Sequence, residues 1–156
     1  MDQFNFMPNT SNRREGVNIK EFNKYGMDQT GTVKYVYNSL NYRGEEFDPN
    51  AKKLIYIVGC SHTHGTGLQY GDTYGHQFKK AYAKRFNLHE DEVNLMNFSV
   101  GGASNSYMVR TLITNCNVKK PDVLICNFSH KKIKSLRKKV EINLSALQLK
   151  ELILIY

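Results

Sequence analysis

Paired cysteines, long apolar runs and nucleotide-binding signatures are all missing from this chain, and each absence removes a class of protein. The three cysteines, Cys60, Cys116 and Cys126, are widely spaced, odd in number and without a CxxC pair. They build no disulfide framework, so thiols in a reducing compartment, and hence a cytoplasmic location, are expected. The five histidines are scattered rather than set at ligand spacing beside cysteines, which predicts no metal site and no cofactor. No stretch approaches the roughly 18 consecutive apolar residues of a membrane helix. The N-terminus, MDQFNFMPNTSNRR, has no basic stretch followed by an apolar one, so neither a membrane anchor nor a secretory signal is expected. The glycines of 59–67 and 101–102 fit neither G-x-x-x-x-G-K-[ST] nor G-x-G-x-x-G, which argues against a nucleotide site.

What the chain does have is enough length, 156 residues with 40% apolar content, for one domain around a real core. Its net charge of +8 is unevenly spread. Residues 1–100 carry 12 basic and 11 acidic side chains, whereas 101–156 carry 10 basic and 3 acidic. The excess peaks in Lys131–Lys139, KKIKSLRKK, with six basic residues and no acidic one. Such a run can hold phosphates by charge alone, so nucleic acid stands as an alternative partner; the plainer reading is the solvated face of a helix. The ten tyrosines are not interleaved with this run as in a recognisable RNA module.

Along the chain, residues 1–30 show neither helical nor strand periodicity, and 1–50 read as an N-terminal arm before an α/β domain over 51–156. TVKYVY at 32–37 predicts a short strand. LIYIV at 54–58, bounded by KK and GC, has the pattern of a buried parallel strand. A polar loop over 59–67 follows. Phe78, Tyr82 and Phe86 recur at i, i+4 and i+8 and predict a helix over 74–86, with Lys79, Lys80, Lys84 and Arg85 facing out. A second strand at 93–100, a second polar loop GGASN, a helix over 105–116 and a third strand at 123–128 complete the pattern. Strands alternating with helices argue for βαβ crossovers and a parallel sheet, hence a three-layer α/β/α sandwich. Sites in such sheets lie at the carboxyl ends of the strands, which here carry GCSHTHG, GGASN and NFSH. In 131–156, Ile133, Leu136, Val140, Leu144 and Leu147 recur at helical spacing, and ELILIY reads either as the last turns of that helix or as another strand.

At this point the residues resemble a known group. The segment Asn38-Ser-Leu-Asn-Tyr-Arg43-Gly-Glu-Glu-Phe47, the strand followed by Gly59-Cys60-Ser61-His62-Thr63, the Asn97–Gly102 block and the Pro121–Asn127 strand, in this order, are similar to the SGNH or GDSL-like hydrolases. The resemblance covers about 38–130. It implies a flavodoxin-like sandwich in which Ser61 is the nucleophile and the backbone N–H groups of Ser61 and Gly102 form an oxyanion hole. The reaction implied is hydrolysis of a small ester or removal of an acyl group from a carbohydrate. The physical case is consistent with this, since backbone donors aimed at developing negative charge lower a barrier by ~3–4 kcal/mol each.

The chain also departs from the family pattern. In place of a GxND-like third block it has Asn127-Phe-Ser-His130, so Asn127 and Asn105 are the amides available to contact substrate. No DxxH motif follows His130, and a serine without a base is a poor nucleophile at neutral pH. Two explanations stand: a C-terminally shortened or reframed member, or a local base. Within the chain His130 is the first choice, because strand ends converge in space; His62 and His64 read as pocket-wall residues. Loss of the family's last elements would leave a sheet edge or apolar helix face uncovered, so a homodimer is a further expectation. A catalytically inactive relative that binds ligand, or serves a structural role, is the other function class.

Overall fold

The computed structural model of the protein describes residues 16–18, 32–128 and 151–155. His130, the basic run Lys131–Lys139 and the helix expected around 133–147 lie outside the described residues. Two short strands, β1 (Gly16–Asn18) and β2 (Thr32–Lys34), pair antiparallel. The main sheet contains β3 (Lys53–Val58), β4 (Val93–Asn97), β5 (Val123–Asn127) and β6 (Glu151–Ile155), in the order β4-β3-β5-β6, and every neighbouring pair is parallel. Glu151–Ile155 is therefore a strand: a helix there would leave its apolar residues on all sides, whereas β6 extends β5 in register, Val123 to Glu151 through Asn127 to Ile155.

Period-2 alternation divides the strand side chains between two cores. Leu54, Tyr56, Val58, Met96, Leu124 and Cys126 face α3 (Asn105–Val118), packing with its Met108, Leu112 and Cys116. Ile55, Ile57, Val93, Leu95, Val123 and Ile125 face the other way, against Phe78, Tyr82 and Ala83 of α2 (Tyr74–Arg85). A helix on each face of a parallel sheet makes three layers, the α/β/α arrangement expected. The chain runs outward from β3 to β4 and then back past β3 to β5. With crossovers of one hand, that reversal puts successive helices on opposite faces. The loops after β3 and β4 thus leave toward different sides, the arrangement in which α/β sheets open a crevice at their carboxyl edge.

Helix starts are marked in the sequence by Thr73, whose side chain accepts from His76 N–H at 3.4 Å, and by Ser104, which accepts from Tyr107 N–H at 3.2 Å. Three expectations need correction. The polar loop over 59–67 contains a single helical turn, α1 (Ser61–His64), closed by Gly65 at φ 77°, where glycine takes the left-handed conformation without a Cβ penalty. Phe86 caps the end of α2 and is half exposed, since the helix stops before that position meets the sheet. Lys79, expected to face out, is 6% exposed and ion-paired at 2.6 Å with Glu45. Helical periodicity alone does not reveal an acid arriving from a distant segment.

That acid belongs to the 38–48 segment, which lies against the domain and seals the β4 edge. Leu95 N–H donates to Glu45 Oε2 at 3.2 Å, Asn94 Nδ2 donates to the Glu46 carbonyl at 2.9 Å, and Asp48 N–H donates to Asn94 Oδ1 at 3.2 Å. An edge strand covered by a segment that takes one of its outward backbone donors is a poorer template for pairing with another chain. Tyr42 enters the α3-side core, its ring meeting Phe98 edge-on at 4.8 Å, as Tyr56 does at 4.9 Å.

Candidate functional site

Ser61 is the first residue of α1, three residues beyond the last residue of β3. Its side chain is half-buried, and among the described residues no group hydrogen-bonds its hydroxyl. The turn that carries it is held from two sides. On the sheet side the anchor is Thr63, fully buried. Its hydroxyl receives Tyr74 O–H at 2.9 Å and Asn127 Nδ2 at 3.1 Å, and its carbonyl receives Asn97 Nδ2 at 3.0 Å. One threonine thus joins α2 and the ends of β4 and β5 to the turn. Burial raises the Tyr74 phenol above its ordinary pKa, with its bonds to Thr63 and Asn127 acting in the opposite direction, so it serves as a neutral donor.

On the far side the anchor is Arg43, 1% exposed. Its Nη1 donates to the carbonyls of His64 (2.8 Å) and Gly65 (2.6 Å), and its Nη2 donates to that of Leu68. The guanidinium lies over the Tyr35 ring, 4.4 Å from its centroid, and the Tyr35 hydroxyl accepts Gly67 N–H at 2.7 Å. Burial pulls the Arg43 pKa below the usual guanidinium range, and among the described residues no carboxylate pairs with it. His64 stacks against Tyr35, ring centroids 5.8 Å apart, with Tyr37 at 6.3 Å. Burial, and secondarily the Arg43 charge, lower its pKa to about 4, which keeps it neutral at physiological pH. His62 is exposed.

The second loop reaches the same edge. Phe98 N–H donates to the Ile57 carbonyl (2.8 Å) and Val100 N–H to that of Gly59 (3.3 Å), carrying the β3–β4 alignment into the loops. Gly102, two residues further on, has φ 76°, is exposed, and would meet nothing within 4 Å if it bore a Cβ. Asn105 opens α3 and is half-buried, and Asn127 ends β5 with its amide directed at Thr63. The structure therefore brings the loop after β3 beside the start of the loop after β4 and the end of β5, through Val100 to Gly59 and Asn127 to Thr63, places Gly102 and Asn105 further along that second loop, and turns the His64 ring toward the arm tyrosines. Burial pushes the Cys116 thiol up to about 12 and the Cys126 thiol higher still, so both are core thiols rather than nucleophiles. Among the described residues no three His, Cys, Asp or Glu side chains are grouped to hold a metal ion, and no helix is long and apolar enough to cross a membrane.

Sequence reasoning missed Arg43, Thr63 and Tyr74 as site-building residues. The signal for Arg43 was present: an arginine beside a glycine in a segment otherwise read as an arm. Thr63 and Tyr74 carried none, since their pairing depends on where α2 lands.

Fold and site together define a three-layer α/β protein whose Ser61 hydroxyl, beyond a central parallel strand, has no hydrogen-bond partner among the described residues. No protein-family model and no curated protein matches the chain. A solved structure described as the crystal structure of TesA is similar with a TM-score of 0.43 at 16% identity, over 61% of this chain and 52% of that one. The chain thus spans about half the length of that structure.

Proposed function

We propose that the protein is a serine hydrolase of the SGNH type, acting on a small ester or an acylated carbohydrate. The observation that carries this reading is the Ser61 hydroxyl, half-buried and without a partner among the described residues, on a turn held from both sides next to the open Gly102 loop. Ser61 Oγ attacks the acyl carbonyl, and the N–H groups of Ser61 and Gly102 receive the oxyanion. Asn105 supplies an amide near the acyl group, Asn127 acts instead by anchoring Thr63 through its own amide, and His62 contributes to the exposed wall. His64, held neutral with a pKa near 4, is too weak a base to activate a serine at neutral pH. That role falls to His130, two residues beyond Phe128 at the end of the β5 segment.

The test is hydrolysis of a short-chain aryl acetate by the purified protein beside Ser61→Ala. Ser61-dependent turnover, falling by ~10³-fold or more in the variant, is the expected result, and His130→Ala is expected to fall comparably. Equal rates from two folded proteins would sink the reading and leave a relative that binds without catalysis.

A further inference from the structure

A single helical turn of four residues does not hold itself, because nucleation fixes several dihedrals for one hydrogen bond. Its last carbonyls have no partner inside the helix. The Ser61 turn has both problems, and its C-terminal side contains two glycines, Gly65 and Gly67, both at positive φ. Arg43 resolves them with one planar group. Three carbonyls of the turn, those of His64, Gly65 and Leu68, converge on its two Nη atoms. The ring beneath the guanidinium, Tyr35, takes the intervening Gly67 N–H. The fit is close: a Cβ built on Gly65 would come within 3.0 Å of Arg43 Nη1. An arginine buried for ion pairing would face a carboxylate, yet the donors of Arg43 are directed at the backbone that follows Ser61.

We propose that Arg43 is a positioning residue for the nucleophile: its guanidinium fork sets the angle at which α1 presents Ser61, with Tyr35 as its platform. This rests on the reading of Ser61 as nucleophile. Lysine has the charge but neither the plane nor the fork, so Arg43→Lys is not conservative here. A displacement of about 1 Å at a reacting atom costs ~10²-fold in rate without altering ground-state binding much.

The test compares the wild type with Arg43→Lys and Arg43→Gln, each confirmed folded by circular dichroism and melting. Two quantities are read: kcat and KM for a short-chain aryl acetate, and hydrogen exchange of the amides of His64, Gly65, Thr66, Gly67 and Leu68. The expected result for both variants is a kcat lower by ~10²-fold with KM within about threefold. Exchange should be faster by ~10-fold or more in 64–68 and unchanged in α2 and α3. Partial recovery of kcat in Arg43→Ala on adding millimolar guanidinium, with no recovery from ammonium, would support the fork specifically. A folded Arg43→Lys with wild-type kcat overturns the proposal, as does unchanged exchange in 64–68. If the wild type shows no Ser61-dependent turnover, the hydrolase reading fails by itself. The exchange arm then still decides whether Arg43 organises the turn.

Discussion

The two loops that meet at the sheet edge are built on opposite plans. The turn after β3 is fixed at nearly every residue: Thr63 by three neighbours, the carbonyls of 64, 65 and 68 by Arg43, and Gly67 by Tyr35. The loop after β4 is tied at its start, where Ser99 N–H donates to Asn97 Oδ1 and Val100 N–H to Gly59, and then runs through Gly101 and Gly102 in the open. Under the proposed hydrolase function, the difference would be a division of labour. A nucleophile gains from being held in one geometry before substrate arrives. A loop that lends backbone donors to varied acyl groups gains from having no side chains in the way.

A methyl group on each loop separates the two plans most sharply. At Gly59 a Cβ would lie 1.9 Å from Thr63 Oγ1 and 2.5 Å from Thr63 Cβ. Thr63 cannot step aside, because Tyr74, Asn127 and Asn97 all bond to it. Gly59→Ala is therefore expected to destabilise the fold by about 3 kcal/mol, the upper end for overpacking, and to reduce Ser61 reactivity in whatever remains folded. Urea unfolding checks this; a loss under about 1 kcal/mol would mean that the turn is softer than its hydrogen bonds imply.

How much of this was legible beforehand follows from the same contrast. β3, β4 and β5 could be read because a strand buried on both faces needs an apolar run, and Leu54–Val58 is one. Cys126 could be placed in the core for the same reason. Ser61 at a strand end followed from the alternation of strands and helices alone. The network that fixes it could not be read, because its members, Arg43, Tyr35, Tyr74 and Asn127, come from four segments whose meeting depends on tertiary packing. Lys79 shows the limit most clearly: on a helical wheel it belongs to the solvent face, and only the arrival of Glu45 from the 38–48 segment buries it.

Acid should loosen the pinned turn and spare the open loop. His64 titrates near 4 in the folded protein because of burial and the Arg43 charge, against about 6.5 in the unfolded chain. Between those values the unfolded state binds a proton that the folded state does not, so stability falls as pH drops from about 6.5 toward 4. Among the described residues the groups facing the ring, Tyr35, Tyr37, Thr66 and Arg43, offer it no carboxylate. His76, whose pKa is also lowered by burial and the nearby Lys80, adds to the same slope. For the partly exposed His64 the loss is on the order of 2 kcal/mol. Denaturation at pH 7 and pH 4.5 should show it, and His64→Gln should flatten the difference. A slope that persists unchanged in His64→Gln would assign the acid sensitivity to other groups.

The smallest effects lie within the open loop and test whether its glycines are there for conformation or for access. Gly101 has no positive φ and no neighbour within 4 Å of a built Cβ, so Gly101→Ala should leave stability within about 0.5 kcal/mol of wild type. Gly102 is equally uncrowded but has φ 76°, and an alanine there should cost about 1 kcal/mol from backbone strain alone. The informative comparison is catalytic. If the Gly102 N–H receives the oxyanion, Gly102→Ala should lower kcat by more than its stability loss explains, while Gly101→Ala should not. A loop shaped only for chain reversal would show the stability difference between the two variants and the same kcat for both. Measuring both quantities on this pair therefore distinguishes a donor held in place by its φ from a turn that merely tolerates glycine.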